Sequence, residues 1–197
     1  TAVRSSVETK KSPPTILVRY HDRLPEPFIS IGYYEDLRRL NGAASNVPIV
    51  RRVIYPSHTL VVDPSKDFAI ELHLRRDSLT LPLPVHSSFA ASAILPFVSL
   101  PYVATFGNFG INVVEHFGDL LVVEDSNKVA AAVLNNKENT VSLSVLFPYD
   151  EIDYQLNEEL FRFESEAEMA RLRRVIPVSQ YVKATKEEFI KAFIDQF

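Results

Sequence analysis

Cysteine is absent from the 197-residue sequence, which excludes disulfide frameworks, cysteine-ligated zinc, iron–sulfur clusters and thiol nucleophiles. Tryptophan is absent too, methionine occurs once, and there are 5 glycines against 13 prolines. So few glycines disfavour phosphate-cradling loops, in which the backbone must approach the ligand closely. No G-x-x-x-x-G-K-[ST] occurs, and Phe106-Gly107-Asn108-Phe109-Gly110 is too short and too aromatic for such a cradle; it reads as a helix end and a turn. None of His21, His58, His73, His86 and His116 forms the i, i+4 pair with a glutamate between that a zinc protease needs, and no serine sits on a glycine-flanked turn that exposes its hydroxyl. The carboxylates of 150–168 form a solvated run with no apolar pocket to raise a pKa. The expectation is a protein that is not an enzyme, with no catalytic residues, cofactor or metal.

What is present suits one globular domain: 46% of residues are hydrophobic and 23% charged. The net charge of −4 is unevenly spread, with 12 basic and 8 acidic side chains in residues 1–76 and 9 basic and 17 acidic ones in 77–197. Such asymmetry suits a segment that faces a polyanion, and equally ordinary surface variation. Residues 1–15, running into Pro13-Pro14, read as a flexible N-terminal arm with the composition left when a transit peptide is removed. Residues 16–197 read as a single domain with an acidic insertion around 150–176.

Strand patterns dominate. Residues 51–63 are rich in β-branched side chains and end on Asp63-Pro64, and 68–76 alternate Phe68, Ile70, Leu72 and Leu74 with Glu71, His73 and Arg75. Two short apolar runs in 111–124 divide at Gly118-Asp119, while 128–134 and 140–147 flank a five-residue turn cluster and predict a hairpin. Between Asp77 and Glu115 no Asp, Glu, Lys or Arg occurs, but Pro82, Pro84, Pro96 and Pro101 interrupt the stretch, so a membrane-spanning helix does not suit it. A buried strand is expected there, followed by a short helix from about Ser99-Leu100-Pro101. A helix is expected over 165–175, and a last amphipathic helix opens at Thr185, with Glu188 completing a capping box.

Polar chemistry gathers on the strands: Arg51, Arg52, His58, His73, Arg75, Arg76, Lys128, Ser142 and Ser144. Cationic and hydroxyl groups on a sheet can follow a phosphate backbone without reading bases, so these residues are the candidate RNA-binding set. They also suit the solvated outer face of a half-buried sheet.

The segment from Ile54-Tyr55 through Asp63-Pro64 is similar to the first strand of the Whirly proteins, plant single-stranded-DNA binders, with Pro56 and His58 where that family carries lysines. Ser92 to Gly107 resembles the Whirly strand–helix junction, Val114 to Asp119 the strand that follows, and Val182 to Phe189 the entry to the C-terminal helix. The chain looks most like the kinetoplastid mitochondrial guide-RNA-binding proteins of that fold. The resemblance implies an α+β, Whirly-like fold of two antiparallel sheet-plus-helix units with a C-terminal amphipathic helix. It also implies a paralogous partner in a heterotetramer, and guide RNA held by its phosphates and annealed to mRNA during RNA editing in the mitochondrial matrix. A second expectation is a non-catalytic structural subunit of a larger mitochondrial complex, docking through 78–114 and the acidic stretch.

Overall fold

The elements of the computed structural model, which describes residues 15–20, 26–31, 36–51, 60–75, 90–136 and 140–197, are nine strands and five α-helices. The strands are β1 (Thr15–Tyr20), β2 (Phe28–Ile31), β3 (Ile49–Arg51), β4 (Leu60–Val62), β5 (Asp67–Arg75), β6 (Val113–His116), β7 (Asp119–Val122), β8 (Lys128–Asn136) and β9 (Thr140–Pro148). The helices are α1 (Ala90–Val98), α2 (Leu100–Asn108), α3 (Tyr154–Leu160), α4 (Glu166–Arg173) and α5 (Lys186–Ile194).

Six strands form one antiparallel sheet in the order β1-β5-β9-β8-β7-β6. The alternation along β5 and β9 decides which face is covered. Phe68, Ile70, Leu72, Val141, Leu143, Val145 and Phe147 point to one side, where α1, α2 and α5 bury them. Ile94, Val98, Tyr102 and Phe106 recur at helical spacing across α1 and α2, and all are buried. Phe189 and Phe193 of α5 complete the layer, with Phe147–Phe189 ring centroids at 5.4 Å and Tyr102–Phe193 at 4.6 Å.

A smaller sheet, β3-β2-β4, has β3 parallel and β4 antiparallel to β2. Its Ile29 shares a second apolar cluster with Ala44, Leu160 and Phe161, so α3 closes over it. The Asn41 N–H donates to the Leu160 carbonyl at 2.8 Å and the Arg162 N–H to the Arg39 carbonyl at 2.7 Å, while Arg39 pairs with Glu168 of α4. The acidic stretch therefore contains two helices that brace the small sheet.

The chain is α+β but not Whirly-like: among the described residues six strands share one sheet, the second sheet has three and includes a parallel pair, and no sheet-plus-helix unit is duplicated. The order of patterns along a chain does not record which strands pair, and β1–β5 and β5–β9 join residues far apart in sequence. Two local readings change as well. Residues 90–98 are helical rather than a strand, because their apolar side chains follow the stripe carried on by Tyr102 and Phe106. Residues 51–63 are not one strand, since Arg51 ends β3 and Leu60 begins β4 on opposite sides of β2. The hairpin β8–β9 and the capping box at Thr185 and Glu188 are present. No helix among the described residues is long and apolar enough to cross a membrane.

Candidate functional site

The second face of the six-stranded sheet carries the polar set. Antiparallel register places His73 opposite both Thr15 and Ser142, Glu71 opposite Ser144, and Arg75 opposite Thr140, while Asn135 lies opposite Ser142 on the other side. Residues opposite one another project to the same side of a sheet, so these form one patch. His73 is only 4% exposed and Ser142 5%. The imidazole Nδ1 lies 2.9 Å from Ser142 Oγ and its Nε2 3.1 Å from Glu71 Oε2. Thr140 Oγ1, fully buried at the end of the same row, meets no hydrogen-bond partner among the described residues.

Toward the other end of β8 the same face turns apolar and then charged. Ala131 and Val133, with Leu146 and Ala69 on β9 and β5, make a floor of small and aliphatic side chains. A register shift in β7–β8 then puts Lys128 opposite Leu121, on the face of Asp119, and Lys128 Nζ reaches Asp119 Oδ1 at 2.6 Å. The Lys128 side chain is 17% exposed. Its backbone is fixed on the outer side too, donating to the Arg174 carbonyl and accepting from the Ile176 N–H, both at 2.8 Å. A separate groove of ≈ 190 Å³ opens between α1 and the β6–β7 turn, lined by Leu95, Glu115, His116 and Phe117. Seven residues of extended strand separate Lys128 from Asn135, so the charged and hydroxyl ends lie about 20 Å apart.

Of the residues expected from the sequence, His73, Arg75, Lys128, Ser142 and Ser144 share this face. Arg51 belongs to the small sheet, opposite Ile31. Arg52, His58 and Arg76 lie outside the described residues. The sequence reading missed Glu71, Asp119 and Thr140. Glu71 and His73 stand at i, i+2 on an alternating strand, which was a visible sign of a shared face; only the β5–β9 register brings Ser142 and Thr140 to them.

No protein-family model matches the sequence, and no curated protein matches it. Solved structures do. The chain aligns over its full length with 76% of a chain from an archaeal lipoylation system, a bi-partite lipoate protein ligase and its E2 lipoyl domain from Thermoplasma acidophilum, at a TM-score of 0.73 and 12% identity. It matches a putative lipoate protein ligase of the same organism with bound lipoic acid, at a TM-score of 0.70 and 14% identity, covering 99% of this chain and 79% of that one. Lipoate-protein ligase A bound with ATP gives 0.72 at 12% identity, over 100% of this chain and 77% of that one.

The fold is that of the lipoate-protein ligases. This overturns the Whirly resemblance and what was drawn from it: guide-RNA binding and annealing, the heterotetramer with a paralogue, and the structural-subunit alternative. It also removes the ground for a protein that is not an enzyme, because the proteins sharing this fold are ligases. A sheet face with cations and hydroxyls was read as a track for phosphates. Among the described residues that face carries only two of those cations, Arg75 and Lys128, and an apolar floor lies between the hydroxyl row and Lys128.

Proposed function

We propose that this chain is a lipoate-ligase-like enzyme that binds a lipoyl-type carboxylic acid on the outer face of its large sheet and attaches the acyl group to a carrier domain. The observation that carries the reading is the apolar floor of Ala131, Val133 and Leu146, which ends at the half-buried Lys128. A lipoyl-type acid is an apolar chain with one terminal carboxylate. The floor suits the chain, and a partly desolvated ammonium suits the carboxylate, since a charge-assisted hydrogen bond gains strength where water is scarce. Asp119 holds Lys128 in place until a substrate anion competes for it. The fold likeness supports the same substrate class, because lipoic acid is bound in one neighbouring structure and ATP in another. With 5 glycines in the chain, the phosphates of a nucleotide are met by side chains rather than by a glycine-rich backbone cradle.

The test is calorimetric titration of lipoic acid into the wild type and Lys128→Met, followed by ATP-dependent transfer to a purified lipoyl domain, read by mass. Binding that weakens at least tenfold in Lys128→Met, together with a lipoylated product from the wild type, is the expected result. Equal binding by the two proteins, or a wild type that neither binds nor transfers, overturns the reading.

A further inference from the structure

We propose that Tyr181 is a positioning residue for Lys128: its hydroxyl clamps the β7–β8 turn in the shape that holds the ammonium ready for a lipoyl-type carboxylate. The inference rests on the carboxylate-binding reading above and names what sets that site.

The turn between β7 and β8 leads straight into Lys128, and Tyr181 closes it from outside. The Tyr181 hydroxyl donates to Asp125 Oδ2 at 2.6 Å and accepts from Asn127 Nδ2 at 2.9 Å, so one oxygen joins the two residues that flank Ser126. Ser126 has a φ of 59°, in the left-handed region that glycine enters freely and serine does not. The Ser126 N–H donates to the Val122 carbonyl and the Val122 N–H to the Asn127 carbonyl, both at 2.9 Å, so the shape of the turn fixes where β8 begins. Relaxation of Ser126 to an ordinary backbone angle rotates the chain one residue before Asn127 and so displaces Lys128. The Tyr181 hydroxyl opposes that relaxation by holding both neighbours of Ser126.

The clamp is itself anchored. Val178 and Val182, close to Tyr181 in sequence, are buried in the main core, and the Tyr181 ring packs against it. The Tyr181 N–H donates to the Val178 carbonyl at 3.0 Å, and the Ser179 N–H to the Tyr149 carbonyl just past β9 at 2.9 Å. The preceding residues hold Lys128 directly, through the Arg174 carbonyl and the Ile176 N–H, while Tyr154 of α3 donates its hydroxyl to the Val175 carbonyl between them. Residues 174–182 thus fix both Lys128 and the turn before it. Burial lifts the Tyr181 hydroxyl above the usual tyrosine range and the Asp125 bond lifts it further, so it remains a donor. The same bond holds the Asp125 carboxyl below the usual carboxylate range. These bonds exist before any substrate arrives, so their contribution to binding is preorganisation. Without them only a fraction of molecules presents Lys128 correctly, and apparent affinity falls by that fraction.

The experiment titrates lipoic acid calorimetrically into the full chain as wild type, Tyr181→Phe, Lys128→Met and the double variant, and follows amide hydrogen exchange at Lys128, whose N–H donates to Arg174. Tyr181→Phe keeps the packed ring and removes both bonds. It is expected to weaken lipoic acid binding about tenfold and to quicken exchange at Lys128. In the Lys128→Met background the same substitution should weaken binding no further, because the group being positioned is gone. Adding Ser126→Gly to Tyr181→Phe should recover most of the affinity, since glycine keeps the left-handed turn without the clamp; a general loss of packing is not repaired at that position. Tyr181→Phe binding as tightly as wild type, a loss of equal size in the Lys128→Met background, no recovery with Ser126→Gly, or unchanged exchange at Lys128 overturns the proposal. Normal wild-type binding that Tyr181→Phe leaves intact removes this inference alone, whereas a wild type that binds no lipoic acid removes the functional reading and this inference with it.

Discussion

Tyr102, in the middle of α2, donates its hydroxyl to the Ile70 carbonyl of β5 at 3.1 Å, tying the helical layer to the central strands. The ring is fully buried and packs on Phe193. Burial and the nearby Glu71 charge push its hydroxyl well above the usual tyrosine range, so it acts as a fixed donor. Tyr102→Phe keeps the ring and removes the bond. Urea denaturation should show a loss of about 1 kcal/mol with an unchanged m-value, and equal midpoints for the two proteins would contradict the assignment.

The β6–β7 turn gives a sharper prediction. Phe117 and Gly118 both have positive φ, 51° and 90°, the pattern of a type I′ hairpin turn. A Cβ on Gly118 meets the Ala132 carbonyl oxygen at 3.0 Å, and that rung is already tight, with Ala132 N–H on the Gly118 carbonyl at 2.5 Å. Gly118→Ala is expected to lose about 1–2 kcal/mol through backbone strain and displacement of β8, and hydrogen exchange at Ala132 should quicken. Unchanged exchange there would mean that the turn adapts.

These contacts mark where sequence reasoning reached and where it stopped. The faces of β5 and β9 were legible because burial on one side enforces a period of two, and the capping box at Thr185 because its residue types are local. The helix over 90–98 was not. A short apolar run without charge looks alike as strand or helix, and the stripe that decides it, Ile94-Val98-Tyr102-Phe106, continues past the Ser99 junction. The site was half legible: His73, Ser142 and Lys128 were visible as polar positions on strands. Their grouping depends on long-range register and on one bulge in β7–β8, which turns Lys128 to the outer face, and neither is written in local spacing. A strand pairing error of one residue reverses every face, so the pairing itself is what linear motifs could not supply.

Thr185 accepts the Glu188 N–H at 3.2 Å while the Glu188 carboxylate accepts the Thr185 N–H at 2.8 Å. The cap starts the helix that delivers Phe189 and Phe193 to the core. Thr185→Ala should lower stability by about 1 kcal/mol, with Glu188→Ala overlapping rather than adding, since both act on one box. Strict additivity in the double variant would refute the reciprocal cap.

Asp67 predicts a pH dependence. It is 5% exposed at the start of β5, its Oδ2 accepting the Asp63 N–H at 2.8 Å. Burial, with the Asp63 charge beside it, pushes its carboxyl up to about 7, against the opposing pull of that hydrogen bond and of Lys186 and Lys66. An unfolded aspartate titrates near ~3.9. Between about 4 and 7 the native state therefore holds a proton that the unfolded chain has released, so this group's contribution to stability falls as pH rises through that window and is level above it. Asp67→Asn keeps an uncharged side chain of similar shape and can still accept from Asp63. The melting temperature of Asp67→Asn minus that of wild type should thus be more positive at pH 8 than at pH 5. A difference independent of pH would assign the acid–base dependence of folding to another group.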